Sequence, residues 1–227
     1  MLDMGIDNEL VSSFGVYMVG RPVIPTAEQE IEHIIVPGRH GSLTKKGAYK
    51  DVPLKVKFNL LENENIKPLI RRVKSLFING ETLFFTDDEV YRKIKHVKIG
   101  DIVNDIEEHG EFEVEFTLDP FEYVTTVPIV LTKQESILNP GTVESNPKLE
   151  IYGSGDITVT INDISFRIKG VAYSVTVDSE LLESYVGTTS MNSKMVGKFP
   201  FLKPGINSIS WSESVTTIIV DPRWRYK

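Results

Sequence analysis

Val52-Pro53-Leu54-Lys55-Val56-Lys57-Phe58-Asn59-Leu60 sets apolar residues against polar ones with a period of two. Successive strand side chains point to opposite faces of a sheet, so this stretch predicts an antiparallel strand with one dry face and one wet. Phe112, Val114, Phe116 and Leu118, interleaved with Glu111, Glu113, Glu115 and Thr117, predict a second strand of the same kind. Ile31, His33 and Ile35 alternating with Glu32, Ile34 and Val36 give a third. Leu83-Phe84-Phe85 and the run Val90 to Ile99 flank the polar Thr86-Asp87-Asp88-Glu89, the pattern of a hairpin. One helix stands among these strands. Ile66, Leu69, Ile70, Val73, Leu76 and Phe77 fall on a single helical stripe, predicting a helix over about 66–78 packed on the sheet. Asn65 is placed to cap its start, Pro68 falls within the tolerated first turn, and Asn79-Gly80 supplies a left-handed stop.

Beyond Val130 the texture changes. Lys133 to Pro147 is polar and holds two turn signals, Asn139-Pro140-Gly141 and Asn146-Pro147, which places a domain boundary near residue 135. The predicted division is 1–134 and 135–227. Ile151, Ile157/Val159/Ile161, Phe166/Ile168, Val171/Tyr173/Val175/Val177 and Ile218/Val220 form short strands separated by Gly153-Ser154-Gly155-Asp156, Asn162-Asp163 and Pro204-Gly205. Short strands with turns at this spacing predict a β-sandwich. The fold class is mainly β, with an α+β N-terminal domain.

Composition narrows the function. The 227 residues include no cysteine, and 25 Lys+Arg against 32 Asp+Glu leave a net charge of −7. Thiolate metal sites, cysteine nucleophiles and disulfide scaffolds are thereby excluded. An acidic chain lacks the basic face that a duplex-binding protein needs. No run reaches the roughly 20 apolar residues of a membrane helix, and the N-terminal segment carries no export signal. Residues 1–130 hold 15 basic and 22 acidic residues, whereas 131–227 hold 10 of each, so the negative charge sits entirely in the first part.

No catalytic motif emerges. Gly15-Val16-Tyr17-Met18-Val19-Gly20 has the glycine spacing of a phosphate loop, but Arg21-Pro22 follows where Lys and Ser/Thr belong, so it reads as a strand. His33, His40, His96 and His109 never stand four apart on a helix, which leaves no metal-ligand spacing. Asp87-Asp88-Glu89 reads as a solvated hairpin tip rather than a cation loop. Glu107 and Glu108 extend the acidic strand face of Glu111, Glu113 and Glu115, which suits a solvent-facing or channel-facing surface. Trp211, Trp224, Tyr152, Tyr173, Tyr185 and Tyr226 are available to stack on sugars, although a sandwich core consumes aromatics too. No catalytic, cofactor or metal residue is assigned, and no enzyme activity is expected.

Ile31-Glu32-His33-Ile34-Ile35-Val36-Pro37-Gly38-Arg39-His40-Gly41-Ser42-Leu43 is an extended strand, a compact Pro/Gly turn and a loop, followed by Gly47-Ala48-Tyr49-Lys50-Asp51. This order, with the helix, Asp119-Pro120-Phe121, Asn139-Pro140-Gly141-Thr142, Ser145-Asn146-Pro147, Gly153-Ser154-Gly155, Val177-Asp178-Ser179-Glu180, Phe199-Pro200 and Leu202-Lys203-Pro204-Gly205-Ile206-Asn207, resembles the distal tail proteins of long-tailed (siphovirus-type) phages and prophages of Gram-positive bacteria. The resemblance covers essentially the whole chain.

The resemblance implies a barrel-like β-domain with one amphipathic helix that builds a hexameric ring, then a galectin-like or carbohydrate-module-like sandwich projecting outward. Such a ring is a baseplate hub at the distal tip of the virion tail, made in the host cytoplasm and not inserted in a membrane. It joins the tail tube protein and tape-measure protein to a tail-associated, lysin-like protein and the receptor-binding apparatus, and DNA passes through its channel only in transit. Expected interface residues are Ile31, His33, Ile35, Gly38, Arg39, His40, Gly41 and Tyr49, and expected channel-lining residues are Glu111, Glu113 and Glu115. The alternative is a carbohydrate-binding adhesion module on a β-domain scaffold, which an exposed Trp or Tyr pair on the second domain would favour.

Overall fold

The computed structural model describes residues 2–61, 66–106 and 109–227. The chain divides into two compact units, one running through Tyr123 together with Lys227, the other Val124–Tyr226. The polar stretch at 133–147 predicts the division eleven residues later. Ile129–Leu131 explains the difference: it pairs antiparallel with Val215–Asp221 and so belongs to the second unit's sheet.

In the first unit the strands are β1 (Met4–Ile6), β2 (Glu9–Leu10), β3 (Val16–Met18), β4 (Gln29–Ile35), β5 (Ser42–Tyr49), β6 (Val52–Leu61), β7 (Thr82–Phe85), β8 (Val90–Ile99), β9 (Val103–Ile106) and β10 (His109–Leu118), with helix α1 (Lys67–Asn79) between β6 and β7. They pair in the order β2-β1-β7-β8-β10-β6-β3, with β9 also on β10. The two decisive strands lie side by side: Phe112 faces Phe58, Val114 faces Val56 and Phe116 faces Leu54. Their dry faces are fully buried, as the alternation requires, and α1 lays its stripe on them. Phe77 of the helix stands 5.3 Å from Phe58 and 5.9 Å from Phe116, ring centre to ring centre, within the range of favourable aromatic contacts.

The proposed cap, Asn65, lies outside the described residues, and two other local expectations change. Gly80 ends the helix in an extended conformation, φ −68° and ψ 136°, not a left-handed one. It is glycine for room: a Cβ there would meet Ile6 Cγ2 at 2.3 Å. The segment after the Pro/Gly turn is also no loop. It forms strand β5, paired with β4 from Ile35↔Ser42 to Gln29↔Tyr49.

The second unit is built of β12 (Ile129–Leu131), β13 (Glu135–Asn139), β14 (Lys148–Gly153), β15 (Gly155–Ile161), β16 (Ile164–Val171), β17 (Ser174–Asp178), β18 (Glu183–Val186), β19 (Thr189–Ser190), β20 (Met195–Gly197), β21 (Gly205–Trp211) and β22 (Val215–Asp221), where β11 denotes Glu122–Val124 at the junction. One sheet runs β12-β22-β14-β17-β18-β19 and the other β13-β21-β15-β16-β20. Inward-facing residues of both, from Leu149 and Ile151 to Val159 and Ile161, share one core with Trp224. Tyr173 is not a strand residue as its alternation predicts. It occupies the β16–β17 turn and is 74% exposed.

The turn motifs of the second unit are held by buried asparagines. Asn207 accepts from Lys203 N at 2.8 Å and from Asn162 Nδ2 at 2.9 Å, and donates to the carbonyls of Lys203 and Gly205. Asn139 donates to Leu202 O and accepts from Gly141 N. Buried amides are tolerated only with such partners.

Candidate functional site

Hairpin β4–β5 forms a two-stranded sheet of its own. At its tip, Arg39 N donates to Val36 O at 3.1 Å across Pro37-Gly38, and Gly38 has φ +81°, the geometry of a type II turn. Gly41, at φ +75°, also takes a conformation suited to glycine. Arg39 and His40 are exposed beside it. Ile31, His33 and Ile35 lie on one face with Lys46, Thr44 and Ser42 opposite them, and Ile34 and Leu43 lie on the other. Both faces are wet: Ile35 is 82% exposed, and Ile31, Ile34 and Leu43 are exposed as well. His33 shares a 3.3 Å hydrogen bond with Ser42, and Lys45 meets Glu32 at 3.4 Å. Tyr49 differs from the rest of the expected interface. Its ring packs edge-on to Phe121 at 5.6 Å with Lys227 Nζ over it at 4.6 Å, so it anchors the hairpin to its own unit.

The wet face of β6 and β10 carries the expected channel residues. Glu113 stands opposite Lys57, Glu115 opposite Lys55 on one side and Lys98 of β8 on the other, and Glu111 opposite Asn59. Lys55 Nζ lies 3.5 Å from Glu115 and 3.9 Å from Glu113. The strip is therefore a lattice of both signs, not an acidic wall. Glu107 and Glu108 lie outside the described residues. Sequence alternation marks the glutamates but not their register against the lysines, which only strand pairing reveals.

Other candidates resolve into local roles. Asp87 binds Arg21 at 2.8 Å and Asp88 accepts from Glu89 N, which accounts for the hairpin-tip acids. Asp119 accepts from Phe121 N and from the Tyr123 hydroxyl, so Asp119-Pro120-Phe121 is a braced turn. The hydrogen bond from Lys95 to Asp51, helped by Asp119, holds the lysine above its ordinary range against the opposing effect of burial. Arg92 and Glu122 form a half-buried ion pair. Among the described residues no three His, Asp or Glu side chains gather as metal ligands.

In the second unit, burial pushes the Asp178 carboxyl up, but Arg223 outweighs it. The guanidinium donates two bonds of 2.8 Å, and the Leu181 and Glu180 amides add theirs, so the carboxyl titrates below its ordinary value and the arginine above its own. Asp156 is lowered by the Gly170 amide and by Arg167. Of the candidate aromatics, Trp224 is buried in the core and Trp211 packs against it. Tyr152 and Tyr173 meet edge to face at 5.8 Å beside a groove of about 460 Å³ lined by Gly153, Ser154, Ala172, Ser214, Thr216 and Thr217.

No protein-family model and no curated protein matches the sequence. Solved structures do match. The chain superposes on the crystal structure of the Dit protein of phage SPP1, described as a paradigm of the hub adsorption apparatus in phages infecting Gram-positive bacteria, with a TM-score of 0.66 and 16% identity over 97% of this chain and 98% of that one. It also matches a chain of the phage P2 baseplate in its activated conformation with Ca, with a TM-score of 0.51 and 9% identity over 100% of this chain and 98% of that one. The two-unit, mainly β fold is thus shared with phage hub and baseplate proteins along its whole length.

Proposed function

We propose that this chain is a structural hub of a phage tail tip, a distal tail protein without catalysis that assembles as a hexameric ring around a channel for DNA. Likeness of fold to the SPP1 Dit protein over both units supports the hub reading. The observation that carries self-assembly is the β4–β5 hairpin. An isolated two-stranded hairpin is marginal in water, and an exposed strand edge invites pairing. This one keeps Ile31, Ile34, Ile35 and Leu43 in solvent within its own chain. A neighbouring copy that covers those residues makes the hairpin stable and closes the ring at once. His33, Arg39 and His40 then lie at the subunit boundary, with Gly38 and Gly41 shaping the tip.

In this assembly the wet face of β6, β8 and β10 lines the channel, and its alternating Glu and Lys give DNA no continuous cationic surface to hold. The tail tube and tape-measure proteins stack on one side of the ring, and the lysin-like protein and receptor-binding apparatus attach on the other. Light scattering on a size-exclusion column at several loading concentrations tests the ring. The expected species is about 154 kDa, six copies of the 25.6 kDa chain. A chain that stays monomeric at every concentration removes self-assembly as its own property.

A further inference from the structure

We propose that the exposed face of α1 is the surface on which a second copy of this chain docks its β4–β5 hairpin. Arg71, Lys74 and Ile78 of the helix then meet Glu30, Glu32 and Ile34 of the second copy. This rests on the self-assembly proposed above and names the surface that receives the hairpin. All four charged residues of α1 are basic, in a chain whose net charge is −7. Its first turn holds no acid and its last no base, so the cations crowd toward the end where the helix dipole disfavours them. Arg71 and Lys74, three apart, are neighbours on the helix surface and repel each other. Neither makes an ion pair among the described residues. Arg72 is already placed, with its guanidinium 5.7 Å from the centre of the Phe14 ring. Ile78 continues the stripe of Arg71 and Lys74, and it is 62% exposed. What makes such a face favourable is a partner with two negative charges followed by an apolar side chain.

Strand β4 carries that order on one face. Glu30, Glu32 and Ile34 alternate with Ile31, His33 and Ile35, so they share one side of the hairpin, and all three are exposed. Leu43 stands opposite Ile34 and enlarges the apolar end. Arg71 to Ile78 spans ~10 Å along the helix and Glu30 to Ile34 ~13 Å along the strand, a difference that long side chains close. Glu30 makes no ion pair among the described residues. Glu32 lies 3.4 Å from Lys45, but both side chains are exposed and such a pair holds weakly. Within one chain neither surface is covered, since Ile78, Ile34 and Leu43 all stay in solvent. Duplex DNA would also satisfy the cations, yet it has no use for an isoleucine at the end of the stripe. An acidic strand with an apolar end uses both: the charges set the register and the apolar residues leave water together. The contact joins two different surfaces, helix of one copy to hairpin of the next, and head-to-tail contacts of this kind generate rings.

The experiment is light scattering at several concentrations on two charge-reversed full chains, Arg71→Glu with Lys74→Glu and Glu30→Lys with Glu32→Lys, alone and mixed in equal amounts. Alone, each variant sets like charges together at every contact, and its assembly midpoint should rise about tenfold or more. Mixed, the two can alternate around an even-numbered ring with opposite charges at every contact, and they should assemble within about threefold of the parental midpoint. Ile78→Ser should raise the midpoint about fivefold. All of these side chains are exposed, so an unchanged melting temperature shows that each variant folds. If a lysine beside Lys45 loosens the hairpin, Arg71→Glu mixed with Glu30→Lys gives the same comparison. Assembly of the helix variant at the parental concentration, or a mixture no better than its components, overturns the contact and leaves the ring standing. Loss of DNA retention on a column in that helix variant, with assembly intact, assigns the face to nucleic acid instead. A parent that is monomeric at every concentration removes self-assembly, and this contact with it.

Discussion

Asp178 shows how one buried charge governs a unit. Its side chain is held by both nitrogens of the Arg223 fork, and it accepts the Glu180 and Leu181 amides besides. Asp178→Asn removes the charge with little change of shape, leaves Arg223 with Glu180 and Asp221, and should cost about 2–4 kcal/mol at neutral pH. The sign with pH follows from the lowered carboxyl. The folded state favours the ionised form, so the stabilisation is complete above pH ~5 and drains away as the pH falls below 3.8 through the folded value. Urea midpoints of the parent and the variant should therefore stay apart above pH ~5 and converge as the pH falls below 3.8, and a constant gap would place the effect in packing instead. Gly80→Ala tests a different residue-level cause. Its φ suits alanine, but the new methyl runs into Ile6, so the variant should lose about 1–3 kcal/mol by overpacking where a left-handed stop would have predicted a loss through backbone strain. A melt shows the loss, and the crystal position of Ile6 distinguishes the two causes.

At the level of elements, periodicity reads what one chain segment buries and stays silent about what two segments share. The alternation in Val52–Leu60 and Phe112–Leu118, and the stripe of α1, each identify a dry face, and these faces do pack together. The partnership of Glu113 with Lys57 and Glu115 with Lys55 depends on register between strands more than fifty residues apart, which no local pattern contains. Ser42–Tyr49 escapes detection as a strand for the same reason: neither of its faces is buried, so Leu43, Thr44, Lys45 and Lys46 show no alternation to read. Tyr173 errs the other way, continuing an alternation by chance through a turn. The hairpin β4–β5 also yields a prediction of its own. Ile31→Ser with Ile35→Ser removes exposed apolar surface that no residue of its own unit covers, so the monomer's stability should change by less than about 0.5 kcal/mol. If a second copy covers that surface, the same double variant should shift the assembly midpoint to at least tenfold higher protein concentration. Assembly at parental concentration, read by light scattering, would mean the hairpin's apolar residues face something other than a neighbouring copy.

For the whole molecule, the distribution of charge is the remaining argument. The deficit of seven lies in residues 1–130, yet the strip proposed to line the channel is nearly balanced because Lys55, Lys57 and Lys98 face Glu113 and Glu115. Balance has a use in a passage for DNA. A strongly cationic wall would condense on the backbone and release its counterions, holding the DNA with an affinity that grows with every added lysine. Alternating charges at the spacing of paired strands cancel over about a Debye length of 10 Å, so a passing duplex meets little net field. Replacing Glu111, Glu113 and Glu115 with lysine leaves the buried faces unchanged, since all three side chains point away from the core, while it sets two of the new lysines against Lys55, Lys57 and Lys98 at a modest cost to the pairing. It also converts the strip into an unbroken basic surface, repeated six times in the proposed ring. The variant ring should still assemble, retain DNA on a column in low salt, release it steeply as salt rises, and slow genome ejection when built into virions. Ejection at the parental rate from virions carrying the variant would remove this face from the channel and leave the proposed hub to be oriented some other way.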